Sequence, residues 1–250
     1  MNKKNWVFWI IGLLIFFSIC SEIWPENNKK GIEMFLKVFS RENGILNPEW
    51  EIMPSVSAGL VESFQIAIIG TTFAGFFALF FGFLAAENIS PKPISVICKL
   101  LLNGIRTIPE ILMAIIFIVG VGPGAFAGIL ALGFHSIGTL SKLTAEIIES
   151  LDQKPMESIL AVGGSQISIF RYSAWPQIVP EFLSILIYRL EINMRAASVL
   201  GMVGAGGIGK TLFFALMARN WNNVGAILLG IIVVVTTVDL LSAKIRSKLV

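Results

Sequence analysis

Residues 60–86 form an unbroken apolar run of 27 residues whose only charge is Glu62. At 1.5 Å per residue, a helix of that length exceeds the roughly 30 Å hydrocarbon core of a bilayer. Comparable runs occur at residues 6–23, 94–105 leading into 111–121, 126–140, 178–203 and 224–241. Only 14% of the 250 residues are charged, against about 25% in an ordinary soluble domain. The chain therefore reads as an all-α, polytopic helical membrane protein with about six transmembrane helices, since each crossing needs about 20 apolar residues. That leaves no room for a large soluble domain.

The first run, residues 6–23, follows Lys3 and Lys4 and has the flanks of either a signal peptide or a span. Beyond it stand Glu22, Ile23, Trp24 and Pro25 instead of the small residues that cleavage requires, so it reads as a retained span. Bulky Ile19 before Cys20 argues against a lipoprotein cysteine. Residues 26–57 are the most polar stretch and read as an extramembrane loop. Within it Ile32, Met34, Phe35, Leu36, Val38 and Phe39 have the spacing of a short surface helix. One domain spans 1–250: an N-terminal span and extracytoplasmic loop over 1–58, and a core over 59–250. With six spans, Lys3, Lys4, Lys92, Lys99, Lys142, Lys154, Arg171, Lys244, Arg246 and Lys248 fall on one face, which the positive-inside rule makes cytoplasmic together with both termini. Lys29, Lys30, Lys37, Arg41, Lys210 and Arg219 fall on the other. The segment 151–176 is then cytoplasmic, and 201–223 is not.

Composition excludes several functions. One histidine, His135, and two cysteines rule out a His/Cys metal cluster and a disulfide framework. The basic residues are scattered between apolar runs, which argues against a nucleic-acid partner. His135 beside Ser136 lacks a second histidine or a nucleophile elbow, so no hydrolase is inferred. Gly204-Ala205-Gly206-Gly207-Ile208-Gly209-Lys210-Thr211 fits the nucleotide-binding pattern G-x-x-x-x-G-K-[ST], with Asp239 ending a hydrophobic run downstream. Such a loop needs a short buried strand before it and a sheet around it. The preceding run here is of transmembrane length, so the glycines are read as a turn that lets helices approach closely.

Residues 151–176 are the most informative loop. Lys154-Pro155-Met156-Glu157 starts a short helix, with proline at the first helical position and Glu157 near the positive end of the dipole. Gly163 and Gly164 end it, Ser165 can cap a second helix through Phe170 and Arg171, and Pro176 and Pro180 set the entry to the fifth span. Ile159, Leu160, Val162, Ile167, Ile169 and Phe170 are more apolar groups than a solvated loop needs. They either pack on neighbouring loops of the chain or dock into a cytoplasmic partner.

Glu157, Gly163 and Pro176 match in spacing the E-A-A-x-x-x-G-x(9)-I-x-L-P signature of ABC-transporter permeases, although Ser158, Ile159, Ser173 and Trp175 replace its two alanines, isoleucine and leucine. Three further stretches complete the likeness: Arg171-Tyr172 with Trp175-Pro176-Gln177, Tyr188-Arg189-Leu190-Glu191-Ile192-Asn193-Met194-Arg195, and the glycine-rich run 201–209. With Arg106-Thr107-Ile108-Pro109-Glu110, the chain from Asn103 onward resembles the phosphonate-type ABC importer permease. The resemblance implies a type I importer fold in the bacterial inner membrane, surrounded by lipid. It also implies a second permease copy, a dimer of cytoplasmic ATPase subunits that contact residues such as Glu157, Ile159, Gly163, Phe170 and Pro176, and a periplasmic phosphonate- or phosphite-binding protein. ATP and magnesium would belong to the partner, leaving this chain a transport subunit, not an enzyme, with no cofactor of its own.

Arg189, Glu191 and Arg195 lie within the fifth predicted span, where a charge at the bilayer centre costs about 2.5 to 3.5 kcal/mol even on a lenient scale. Glu191 and Arg195 are four apart in the favourable order and can pair on one helix face, and Arg106 and Glu110 are similarly spaced at the start of the third span. Two roles are open for these charges. They can tie helices together, with Asp239 as a further packing contact, or Arg195, Arg189, Glu191 and Arg106 can tune the passage of a phosphonate, phosphite or phosphate anion. The alternative mechanism is an ion-gradient-driven secondary anion transporter with Glu191 and Arg195 as its coupling pair.

Overall fold

A computed structural model describes residues 36–39 and 44–249. The first predicted span lies outside these residues, as does most of the predicted surface helix, of which a single turn at 36–38 is described. Among the described residues the chain is helical, without a strand. A 3-10 turn at Trp50–Ile52 leads into α1 (Met53–Ala85). There follow α2 (Lys92–Thr107), α3 (Glu110–Val121), α4 (Ala125–Glu149), the short helices α5 (Gln153–Ala161) and α6 (Gln166–Ile169), α7 (Trp175–Leu200), α8 (Ile208–Met217) and α9 (Trp221–Arg246). Helices α1, α4 and α9 are long and apolar enough to cross a membrane. The pairs α2 with α3 and α7 with α8 each pass that test only jointly, bent by 88° and 48°.

The interrupted third span is thus two helices almost at right angles. Ile108 and Pro109 have extended φ/ψ at the break, which follows from proline's lack of an N–H and its restriction of the preceding residue. Helix α2 turns Ser95, Cys98 and Leu102 inward, where Ser95 Oγ donates to Ala85 O at 2.6 Å, and leaves Ile97, Leu100 and Leu101 exposed. Between the glycine-rich run and the last span, Ile208–Met217 forms the ten-residue helix α8, to which the sequence analysis assigns no element.

Helix α1 packs along α4 through small residues. Gly70, Ala74, Ala78 and Gly82 recur every fourth position of α1, so they share a stripe, and all are buried. Lipid tails are as apolar as leucine, so helices in a bilayer associate through close packing and hydrogen bonds, and small residues permit that approach. Buried apolar clusters stack along the bundle. One joins Ala78, Leu102, Leu140, Ile148 and Ile178 near the 151–174 loop. A central one joins Ile66, Met113, Leu132 and Leu200. A third joins Val56, Leu60, Ile208 and Ile227 at the opposite end.

The closeness of this packing is testable at Gly82, where an added Cβ would lie 2.6 Å from Thr144 Cγ2 and 2.7 Å from its Cβ. Gly82→Ala is expected to lower resistance to unfolding in detergent by about 1–3 kcal/mol, the usual cost of overpacking. Adding Thr144→Gly removes both clashing atoms and should restore much of the loss. Equal stability of wild type and the single variant would show that α1 and α4 are not in such contact.

Candidate functional site

The break between α2 and α3 sets a polar cluster inside the bundle. In an uninterrupted helix the Ile108 carbonyl would accept from the amide four residues on; the break frees it, and His135 Nδ1 of α4 lies 3.1 Å away. A carbonyl oxygen only accepts, which assigns the proton to Nδ1. Glu110, the first residue of α3, meets two groups at its Oε1: Arg189 Nη2 of α7 at 3.0 Å and His135 Nε2 at 3.3 Å.

Arg189 is held from its other side. Its Nε donates to Ser136 Oγ at 2.8 Å, and Ser136 Oγ also accepts from Asn193 Nδ2 at 3.0 Å. Asn193 Nδ2 donates in turn to Thr71 Oγ1 at 2.8 Å, and the Thr71 hydroxyl returns to Ala67 O of its own helix at 2.6 Å. Ser136 and Asn193 have no exposed surface, and Arg189 retains 6%. Four helices, α1, α3, α4 and α7, are thereby joined through side chains that each find a partner, as buried polar groups must.

The two intrahelical ion pairs expected from sequence do not form. Glu110 turns to Arg189, whereas Arg106 is exposed on the last turn of α2 and makes no ion pair among the described residues. Glu191 and Arg195 each reach across to α9 instead. Arg246 Nη2 comes within 2.9 Å of Glu191 Oε1 without hydrogen-bond alignment, and Arg195 Nη2 lies 3.4 Å from Asp239 Oδ1. A residue four positions along the same helix competes poorly with a neighbouring helix whose own charge also needs a partner, because leaving a charge unpaired in hydrocarbon costs more than a surface i,i+4 pair returns. Arg246 further stacks on Tyr188, 5.4 Å from its ring centroid. Helix-tying thus describes Glu191, Arg195 and Asp239, while Arg189 anchors a network that the sequence reading had not assembled.

Arg195 nevertheless keeps half of its side chain exposed. With Glu110, Ile111, Ile192, Ala196 and Val199 it lines a groove between the start of α3 and the outer half of α7.

The loop after α4 forms largely as expected. Asp152 caps α5 by accepting from Lys154 N at 3.0 Å, which starts the helix at Gln153 and makes Pro155 its third residue, still among the first amides that lack an intrahelical partner. Gly163 has φ +79°, and the amides of Gly163 and Gly164 bond back to Leu160 O and Ile159 O, both at 2.9 Å. Ser165 caps α6 through Ser168 N. The second helix does not end at Arg171. It passes through a π-helical turn, Phe170–Ala174, into α7, with Pro176 and Pro180 inside the helix. Proline at 176 cannot donate to the carbonyl four residues back, and the Trp175 amide bonds instead five back, to Phe170 O. Leu160, Val162 and Ile167 are 58%, 84% and 78% exposed, so they do not pack on neighbouring loops of the chain. Nearby, Lys99 Nζ bonds Glu87 Oε1 at 2.7 Å and Glu149 Oε1 at 3.1 Å, and the ammonium holds the Glu87 carboxyl below its ordinary pKa.

The glycine-rich run is no phosphate cradle. A 26-residue helix precedes it, Gly124 N donates to Gly204 O at 2.9 Å, and the Ile208 amide is taken by Ser63 Oγ at 2.9 Å. Positive φ at Gly204, Gly206 and Gly207 folds the turn back, so that a Cβ on Gly206 would meet the Ala125 backbone at 2.8 Å.

Comparison with known proteins agrees with this geometry. Residues 78–248 match the family described as binding-protein-dependent transport system inner membrane component. The phosphite transport system permease protein PtxC of Stutzerimonas stutzeri is 43% identical over 75% of this chain and 69% of its own length. The phosphate-import permease protein PhnE of Mycolicibacterium smegmatis is 36% identical over 74% of this chain and 35% of its own length. In fold, the chain is similar to a subunit of the MetNI methionine ABC transporter in an inward-facing conformation, with TM-score 0.71, 18% identity and coverage of 81% and 99% of the two chains. It is likewise similar to an amino acid ABC transporter, with TM-score 0.68, 18% identity and coverage of 79% and 95%. A multi-pass helical bundle with this loop and these relatives belongs to the inner-membrane components of binding-protein-dependent transport systems, and within them to the permease subunits of phosphonate-type ABC importers.

Proposed function

We propose that this chain, as one of two permease copies, carries phosphite, phosphonate or phosphate inward, driven by a cytoplasmic ATPase dimer and supplied by a periplasmic binding protein. The observation that carries the coupling part is the apolar ridge of Leu160, Val162 and Ile167, exposed on α5, on the turn after it and on α6, of which α6 runs without interruption into α7. Exposed side chains of this kind mark a protein-docking surface, and an unbroken helix transmits displacement to the middle of the bundle. Glu157, Ile159, Gly163, Phe170 and Pro176 would hold that surface in shape. The loop end is assigned to the cytoplasm, with both chain termini, because Lys92, Lys99, Lys142, Lys154, Arg171 and Lys244 gather there. Nucleotide and magnesium stay with the ATPase.

The substrate assignment rests on the phosphite and phosphate relatives together with the arginines of α7. Arg195 faces the groove and gives it positive potential, moderated by Asp239. A passage must attract its ion without holding it, and a half-exposed, part-neutralised guanidinium meets that condition. Glu191 acts on the passage only by anchoring α9, and Arg106 flanks the α2 break. The gradient-driven alternative loses its basis, since its Glu191–Arg195 pair is not formed.

Two predictions follow from this assignment. A side chain at Gly163 meets no neighbour, so substitution there acts through φ +79° alone. A non-glycine residue in that region costs about 1–3 kcal/mol, least for asparagine. Gly163→Val is expected to insert normally yet lose at least about tenfold of ATP-driven uptake, an order-of-magnitude effect consistent with that strain, while Gly163→Asn keeps most of it. Normal uptake by the valine variant would remove the coupling assignment. Arg195→Gln leaves an amide that can still donate to half-exposed Asp239, so the complex should assemble while uptake falls several-fold. Loss of assembly in that variant would make Arg195 purely structural.

A further inference from the structure

The carboxylate of Glu110 has an unusual setting for a group that lines an anion passage. It opens on the groove that also contains Arg195, and there a fixed negative charge would repel an approaching phosphorus oxyanion. Its Oε1 meanwhile takes both groups that point at this spot, Arg189 Nη2 at 3.0 Å and His135 Nε2 at 3.3 Å. Arg189 is buried and its other edge is fixed by Ser136, so the guanidinium cannot turn away. The Nδ1 proton of His135 is committed to the Ile108 carbonyl, so Nε2 donates at Glu110 only when the ring is doubly protonated, and Arg189 is the permanent cation that faces the carboxylate. Glu110, by contrast, sits on the first turn of α3 directly after Pro109, beside the 88° bend, and keeps a quarter of its side chain exposed. The receiving groups are rigid, and the carboxylate is mounted at a joint.

We propose that Arg189, with His135 beside it, forms an oxyanion site behind the groove, and that Glu110 occupies it as an internal stand-in for the transported anion. A carboxylate and a phosphorus oxyanion present similar oxygens to a guanidinium, so one can replace the other on the same donors. In the state described here the site is closed by its own chain. When α7 is displaced through the loop, Glu110 withdraws with the start of α3, the incoming anion takes its place on Arg189, and the return of Glu110 expels it. The passage thereby binds briefly and releases, and Ser136, Asn193 and Thr71 serve as positioning residues that keep Arg189 aimed. The proposal rests on the phosphorus-oxyanion reading above and adds where the anion is held and what competes for that place.

The test uses the purified permease–ATPase complex in nanodiscs of one lipid composition, without binding protein, and measures retention of radiolabelled phosphate and phosphite. Glu110→Gln removes the competing charge while keeping the shape, and is expected to retain either anion at least about tenfold more tightly than wild type. Glu110→Asp, which keeps the charge but shortens its reach by one methylene, should show a smaller gain and serves if the glutamine variant does not assemble. Adding Arg189→Gln to either should abolish the gain, and ATP-driven uptake by Glu110→Gln should slow because release is impaired. Retention by the assembled variants no greater than wild type, or a gain that survives Arg189→Gln, overturns the stand-in role. ATP-driven uptake of phosphite or phosphate by the unaltered transporter tests the parent reading separately, and its absence would sink that reading whatever the variants retain.

Discussion

A guanidinium inside a hydrocarbon layer must find its partners within the protein, and the pairing of Arg189 with Glu110 is the contact around which the centre of this bundle is arranged. To reach Arg189, Glu110 has to stand at the bundle centre, which requires α3 to begin there and the chain before it to turn aside. Pro109 supplies the turn, the 88° bend follows, and the Ile108 carbonyl left by the break is taken up by His135. The other face of Arg189 needs Ser136, which needs Asn193, which needs Thr71. One charge thus fixes the registers of α1, α3, α4 and α7 relative to one another.

The spans and the loop, unlike these charge partners, were open to sequence reasoning, for a plain reason. Length and apolarity decide which segments cross a bilayer, and residues 60–86, 126–140 and 224–241 gave α1, α4 and α9, with ends shifted where polar residues extend a helix beyond the membrane. The loop was legible because local chemistry builds it: an aspartate cap, a glycine at positive φ and a serine cap act within a few residues. The length of the segment before residues 204–211 indicated a helix in place of the short strand that a phosphate loop needs, and a 26-residue helix stands there.

The charge partners were not legible. Spacing of four put Arg106 with Glu110 and Glu191 with Arg195, yet Arg189 to Glu110 is 79 positions apart in the chain and Arg195 to Asp239 is 44. Local spacing records which groups can meet on one helix; it carries nothing about which neighbouring helix brings a more needy partner. Polar residues within apolar runs were the available signal, because such residues are costly unless they act together. Taken as a set, Thr71, His135, Ser136, Arg189 and Asn193 would have marked the cluster. The π-helical turn before α7 likewise depends on how Pro176 and Pro180 are accommodated within a continuing helix, when prolines at such a place more commonly end one.

The link between loop and bundle gives the architecture its functional sense. On the proposed reading, the exposed apolar side chains of the loop, a helix continuous from Ile167 to Arg189 and the bent helix pair at the groove act as one mechanical line, with Glu110 at its far end. The most direct measurement is uptake of radiolabelled phosphite and phosphate into vesicles containing the chain, its ATPase partner and, on the substrate side, the binding protein. Uptake that requires ATP hydrolysis and persists when ion gradients are collapsed is the expected result. Uptake by the chain without ATP, following an imposed ion gradient, would contradict it.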